Sequence, residues 1–522
     1  MRKWVLEAVV LVCGASTMVL ELVGSRMLAP YLGTSLFVWT SLIGVILGCL
    51  SLGYWWGGRI SDARHDFKTF SLIILAAALF IAVISFLSEI VLVVVQNGVS
   101  DIRLGAVLAT FILFGVPSVL LGMVLPYAVR LKISAVEKAG QTVGTLYAVS
   151  TIGSIAGTFL AGFVLISYFS GMAILLLIAA ALLATSLVSY AGGLLWSRAL
   201  LLLFFIFSFA QADSLAQAIK GSDFIDVNTP YNRVWIFDAY HAVNGRPVKV
   251  MQVNDENDSM IYRDGEELAS EYTKYYRLAG HFNPGLKKAL MIGGAACSYP
   301  KDYLRQFPEA SIDVVEIDPK LTELAKRYFG LKEDPRLAFF HEDARTFLNR
   351  NKNKYDVIFG DVFRSYSVPY QLTTVEAVQK MYEALEDDGV LLINIISAIE
   401  GPRGRFLRAE AATIQSIFPQ VYIFPVSHPE DGSEVQNIML AALKSAARPR
   451  FYSRDPELDN YLHHLWINEI KKDMPALTDD YAPVEKYVME MMPGLPKPGA
   501  NPMKSRMSFL LGEKKLNEGG SK

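Results

Sequence analysis

The sequence predicts a multi-pass α-helical membrane domain fused to a doubly wound, Rossmann-like α/β domain of nucleotide-binding type. Two observations carry this. Before Asp213 the chain is a succession of long apolar runs with few charges, and after it charges are spaced as in a soluble enzyme. From Ala289 onward, short β-rich runs alternate with helical patterns, which is the mark of strands joined by crossover helices. Over 522 residues the average conceals both halves: 52% of residues are hydrophobic, only 19% are charged, and mean hydropathy is +0.31. Such a chain has ample material for sizeable cores, and its composition excludes disorder for the bulk of it. The 49 basic and 51 acidic residues leave a net charge of −2, which offers no electrostatic basis for a nucleic-acid partner.

Taking the elements in order, apolar runs lie near residues 4–24, 36–57, 69–95, 104–128, 143–167, 171–191 and 195–211. Each approaches or exceeds the roughly 20 residues that cross about 30 Å of hydrocarbon as a helix, so seven spans and a lipid-bilayer partner are expected for residues 1–212. The third run could be one tilted helix or a helix plus a re-entrant piece. Gly153 and Gly157 form a GxxxG pair that would let two helices approach closely. Glu7 and Glu21 lie inside the first run, where a carboxylate is costly; they would line a polar path, pair with a cation such as Arg26, or sit at the interface. Trp55 and Trp56 suit an aromatic belt.

With seven spans, nine Lys and Arg residues in short loops fall on the amino-terminal side and two, Arg26 and Arg103, on the other. The amino terminus therefore reads as cytoplasmic in a cell (inner) membrane, which puts the soluble half outside. The soluble half is nonetheless expected on the cytoplasmic side, the compartment that makes its small-molecule substrate. That would need an eighth crossing or a seventh run lying in the interface. Cys13, Cys49 and Cys297 give neither a disulfide framework nor a zinc motif, and no metal is expected.

In the soluble half the expected strands are 289–292, 312–315, 337–340, 355–359, 390–395 and 421–424. Ligands on such sheets bind beyond the carboxyl ends of the strands. The first strand is followed by Gly293, Gly294, Ala295 and Ala296, where small residues let backbone approach a ligand. Glu316 follows the second, 22 residues after Gly294 and at the spacing that reaches a ribose. Asp343, with Ala344, follows the third strand, and Asp361 the fourth. As a set they point to an adenosine ligand: Glu316 on ribose, Asp343 on the adenine amino group, Asp361 at the reactive end. Taken singly, Asp343 could instead cap the helix starting at Ala344. GxGxxG spacing is absent, so S-adenosylmethionine or a relative fits better than a dinucleotide.

The segments Tyr231-Asn232-Arg233-Val234, Val315-Glu316-Ile317-Asp318, Glu342-Asp343-Ala344 and Tyr355-Asp356-Val357-Ile358-Phe359-Gly360-Asp361 resemble the spermidine synthases, the polyamine aminopropyltransferases. With the apolar half and the tail Leu477 to Glu485, the chain resembles a divergent member of the membrane-fused branch. The resemblance implies a small β-domain ahead of the nucleotide fold, and Asn232 to Asp258, rich in alternating Val and aromatic residues, fits it. Domain limits are then 213–288 for the β-rich domain and linker helix, 289–450 for the nucleotide domain, and 451–522 for a helical extension and tail. It further implies displacement at the carbon beside the sulfonium of decarboxylated S-adenosylmethionine, with methylthioadenosine leaving. Asp361 would deprotonate the attacking amine, Tyr272 would line the acceptor pocket, and homo-oligomers are common in the family.

Departures from the family pattern matter as much. The glycine-loop Asp that holds the aminopropyl ammonium is Ala296 here, a second carboxylate is Arg364, and a third aligns with Lys274. A dicationic amine would meet unpaired positive charge, which disfavours spermidine synthesis. Arg364 or Lys274 suits the carboxylate of intact S-adenosylmethionine instead. The expected enzyme cleaves the sulfonium carbon–sulfur bond of S-adenosylmethionine, or of its decarboxylated form, as a lyase or cyclase without an external amine. Tyr366, Tyr370 and Gln371 would close over the site, with Tyr366 beside the chemistry, and no cofactor beyond that substrate is expected. The alternatives are a classical aminopropyltransferase and a transporter or scaffold with a nucleoside-sensing domain.

Overall fold

A computed structural model describes residues 4–99, 101–133, 138–190, 195–220, 224–254, 256–363 and 368–491. Two compact units emerge, Met1–Pro230 and Tyr231–Lys522.

The first unit is helical. Among the described residues, six helices are long and apolar enough to cross a membrane: α1 (Val5–Leu32), α2 (Leu36–Ala63), α3 (Phe67–Gly98), α4 (Ile102–Lys132), α5 (Ala139–Tyr168) and α6 (Gly171–Ser189). A seventh, α7 (Leu195–Lys220), carries the shorter apolar stretch Ser197–Gln211. The third run is one uninterrupted helix of 32 residues. Within α5 a π-helical turn spans Ala161–Leu165, an interruption of the α-helical hydrogen-bond ladder that often marks functional positions.

Small residues set the packing. A Cβ on Gly153 would stand 2.1 Å from the Leu11 carbonyl oxygen, and one on Gly157 would stand 2.4 Å from that of Ala15. The GxxxG face of α5 therefore lies directly on the backbone of α1. Glu7 forms an ion pair with Lys132 at the end of α4. Near the other end of α1, Arg26 donates to the carbonyl oxygens of Thr229 and, at 2.9 Å, Pro230. Tyr31 donates to Glu89 at 3.4 Å. Arg59 stacks over the Trp55 ring at 4.0 Å, as an interfacial aromatic pair would. A short strand, β1 (Ile225–Asn228), closes the unit.

The second unit begins with an antiparallel meander of β2 (Arg233–Tyr240), β3 (Pro247–Val253) and β4 (Glu256–Tyr262), with a register shift at Met251/Gln252. A seven-stranded sheet follows: β5 (Lys288–Ile292), β6 (Ser311–Val315), β7 (Leu337–Phe340), β8 (Tyr355–Gly360), β9 (Leu385–Ser397), β10 (Gln420–Pro425) and β11 (Gln436–Leu443). Their spatial order is β10-β11-β9-β8-β5-β6-β7. The sheet is mixed: β9, β8, β5, β6 and β7 run parallel, whereas β11 is antiparallel to both β9 and β10. Alternate residues of the central strands feed two cores. Leu290, Ile292, Ile358, Leu391 and Ile393 face one side, and Ala289, Met291, Val357, Phe359 and Leu392 the other. Chain order reverses between β5 and β8, so a crevice opens at their carboxyl ends.

Candidate functional site

The crevice is built from the two strand ends that meet at the reversal. Asp361 N–H donates to the Ile292 carbonyl at 2.9 Å, joining the segment after β8 to the end of β5. Gly293 follows at φ 88°, and a Cβ there would stand 2.5 Å from the Asp361 carbonyl oxygen. Both the left-handed backbone and the close approach require glycine. Ala295 and Cys297 also take left-handed angles, φ 40° and 54°, without being glycine. Each costs about 1–2 kcal/mol, so the loop holds a strained shape that surrounding bonds must fix.

Glu316 supplies those bonds. Its Oε2 accepts from Gly294 N at 3.0 Å and Ala295 N at 3.1 Å, and its Oε1 accepts from Asp318 N at 3.0 Å. The carboxylate is thus oriented against the glycine loop with about one lone-pair site, on Oε1, left for a further donor such as a ribose hydroxyl. Ala296 N–H donates to Ser259 Oγ at 3.3 Å, so the position that lacks a carboxylate is held through its backbone. Burial pushes the Cys297 thiol up to about 12, with Glu316 nearby adding to the shift. That sulfur is therefore no nucleophile at neutral pH.

Asp343 is the N-cap of helix Ala344–Arg350, its carboxylate accepting from Thr346 N at 2.8 Å. Capping uses one oxygen, and the half-buried side chain keeps acceptor capacity for an amino group. Beside it, Arg345 reaches the Gln371 carbonyl at 3.0 Å and Asp479 at 2.7 Å, while Thr374 Oγ1 also donates to Asp479 at 2.7 Å. The tail thereby fastens the segment carrying Tyr370, which is exposed, and Gln371, which is partly buried.

Asp361 meets its partners across the crevice. Tyr272 OH donates to Oδ2 at 3.2 Å and Asn394 Nδ2 to Oδ1 at 3.5 Å. Tyr276, fully buried beneath them, donates to the Gly360 carbonyl at 3.0 Å. Burial first, and the adjacent Asp361 second, hold its phenol well above the ordinary tyrosine range, so it stays protonated. Lys274 pairs locally with Glu271 at 2.6 Å, one helical turn back. Arg364 and Tyr366 lie outside the described residues.

The structure thus gathers Gly293, Gly294, Ala295 and Glu316 in one network and Tyr272 with Asp361 in another. Sequence reasoning passed over Asn394, although a lone amide inside the apolar run Leu391–Ile396 was a visible signal. Asn232 was quoted only as part of a motif. Its Nδ2 donates to the fully buried Asp318 at 3.0 Å, and its Oδ1 accepts from Asn254, linking the meander to the turn after β6. Among the described residues no cluster of His, Cys, Asp or Glu could hold a metal.

Residues 270–447 match the family model for the spermine/spermidine synthase domain. A polyamine aminopropyltransferase from Vibrio vulnificus is 29% identical over 259 residues, covering 47% of this chain and 82% of that protein. One from Bifidobacterium longum, named a probable polyamine aminopropyl transferase, is 27% identical over 295 residues, covering 52% and 65%. Among solved structures, a probable spermidine synthase from Corynebacterium glutamicum is similar at a TM-score of 0.40 and 19% identity, over 48% of this chain and 89% of that one.

Proposed function

We propose that this chain, whose carboxyl-terminal half carries a spermine/spermidine synthase domain behind six long apolar helices, is a membrane-bound enzyme. In this reading it breaks the sulfonium carbon–sulfur bond of S-adenosylmethionine or its decarboxylated form. One observation carries the reading: Tyr272 and Asp361 stand in hydrogen-bond contact at the strand-order reversal, facing the Glu316-braced glycine loop. Glu316 would hold the ribose, Asp343 and the Ala344 backbone the adenine, and Gly293 to Ala295 the close approach of backbone to the nucleoside. The chemistry is a displacement in which the bond's electron pair goes to sulfur and methylthioadenosine leaves. Attack by an amine sends a proton to Asp361; attack by the substrate's own carboxylate needs no base.

The amine-free route rests on charge. Ala296 offers no anion to an ammonium, and Arg364 stands where a second carboxylate is expected. Lys274, being tied to Glu271, contributes less to that reversal than the sequence suggests, so Arg364 is the better partner for a substrate carboxylate. The classical transferase remains the second reading, favoured by the intact Tyr272–Asp361 pair. Purified protein given S-adenosylmethionine, or the decarboxylated form with and without putrescine, separates the two. Methylthioadenosine from S-adenosylmethionine alone supports the amine-free reaction; product only from decarboxylated substrate plus putrescine overturns it. Asp361→Asn should abolish any route that transfers a proton.

We further read α7 as a seventh crossing. Arg26, near the end of α1 remote from Met1, binds the carbonyls of Thr229 and Pro230, where the first unit ends. This supports a chain that leaves the helical unit on the face opposite its amino terminus. Together with the loop charges, it favours a soluble half outside the cytoplasm over the cytoplasmic alternative.

A further inference from the structure

Asn394 interrupts the apolar run Val390–Ile396 of β9, flanked by Leu391, Leu392, Ile393 and by Ile395, Ile396. It is 4% exposed. Parallel pairing sets Ile393 opposite Gly360 of β8, which brings Asn394 alongside Asp361. Its Nδ2 reaches Asp361 Oδ1 at 3.5 Å, while its Oδ1 is buried without a hydrogen-bond partner. An unsatisfied carbonyl oxygen in a core is destabilising, and a leucine would fill the same space among these neighbours. An amide kept for packing would have both ends satisfied. Here only the end facing Asp361 is used, and the two oxygens of that carboxylate are divided between Asn394 and Tyr272.

We infer that Asn394 is a positioning residue for the reaction: its amide N–H fixes the plane of the Asp361 carboxylate and favours the charged form that accepts a proton. The inference rests on Asp361 acting as the base, as in attack by an amine, and not on attack by the substrate's own carboxylate, which needs none. Among the described residues, the titratable groups packed against Asp361 are Tyr272 from the helix Glu271–Lys274 and Tyr276 from the turn that follows it. Both are phenols, whereas Asn394 brings an amide N–H to the carboxylate. Removing it takes that amide donor from Oδ1, and replacing it by a second carboxylate makes two acids compete for one proton.

The full-length protein in detergent supplies the test through two readouts. The first is the pH profile of kcat/KM for methylthioadenosine release. The second, which needs no turnover, is an infrared pH titration of the Asp361 carboxylate band, identified by its loss in Asp361→Asn. In Asn394→Leu the acid limb and the infrared midpoint should both rise by about half to one pH unit, with kcat reduced about tenfold or more and KM little changed. In Asn394→Asp the rise should be larger. Asn394→Asp also serves if the leucine variant does not fold. An unmoved acid limb and an unmoved infrared midpoint overturn the role of Asn394, whatever the loss in rate. Full turnover by Asp361→Asn overturns the base assignment instead, so the two failures are distinguishable.

Discussion

Glu316 braces the glycine loop and, on the proposed function, would meet the ribose with the same side chain. Its three backbone donors orient it before a ligand arrives, so Glu316→Gln presents an N–H to donors that need an acceptor. Binding of methylthioadenosine, followed by calorimetry, should weaken about ten- to a hundredfold, equivalent to about 1.4–2.8 kcal/mol. Glu410 is a different case, fully buried in helix Arg405–Gln415 with no partner for either oxygen. Burial raises its folded value well above that of the unfolded chain, near 4.3. The folded protein therefore keeps a proton that the unfolded chain releases. Stability is full below the unfolded value and falls, by about 1.4 kcal/mol per pH unit, as pH climbs toward the folded one. Urea unfolding at pH 5 and pH 8 should show this decline in the parent protein and a flatter dependence in Glu410→Gln.

At the scale of elements, the α1–α5 contact has no slack. Gly157→Leu must push the helices apart at the Ala15 backbone, and Gly153→Leu at Leu11. Either should lower the thermal midpoint of the detergent-solubilised protein by several degrees or leave it aggregated on size exclusion, whereas the same change at Gly162, which faces open space, should be tolerated. How far such features could be read in advance depended on whether the signal was local. The apolar runs and the strands followed by Gly293, Glu316, Asp343 and Asp361 were legible because hydrophobic period and strand-end chemistry are local properties. The antiparallel β11 was not: Gln436 to Leu443 is an apolar run whose direction and neighbours are decided by pairing with β9 and β10. Lys274 shows the reverse case: aligned against a family it is a lone cation, while Glu271 one turn away forms an ion pair with it, and that spacing was in plain view. Asn394 acquires meaning only beside Asp361, which lies 33 residues away in sequence.

For the whole molecule, the orientation of the chain is the measurable consequence. A single cysteine introduced at exposed Tyr452 of a Cys-free full-length variant, probed with a membrane-impermeant maleimide, should label in intact spheroplasts without detergent. Labelling only after permeabilisation would return the soluble half to the cytoplasm and remove the seventh crossing from the account. An external catalytic half would draw its sulfonium substrate from outside the cytoplasm, or through the helical unit itself.

The contact between Arg26 and Pro230 also constrains assembly. Its partners are 204 residues apart, so it cannot form until the ribosome has delivered every helix of the first unit. The link between α1 and the end of the unit is therefore made after the helices between them, where the chain turns from apolar to soluble sequence. The contact thus joins the first helix to the last residues of its own unit, just ahead of the strand that begins at Arg233.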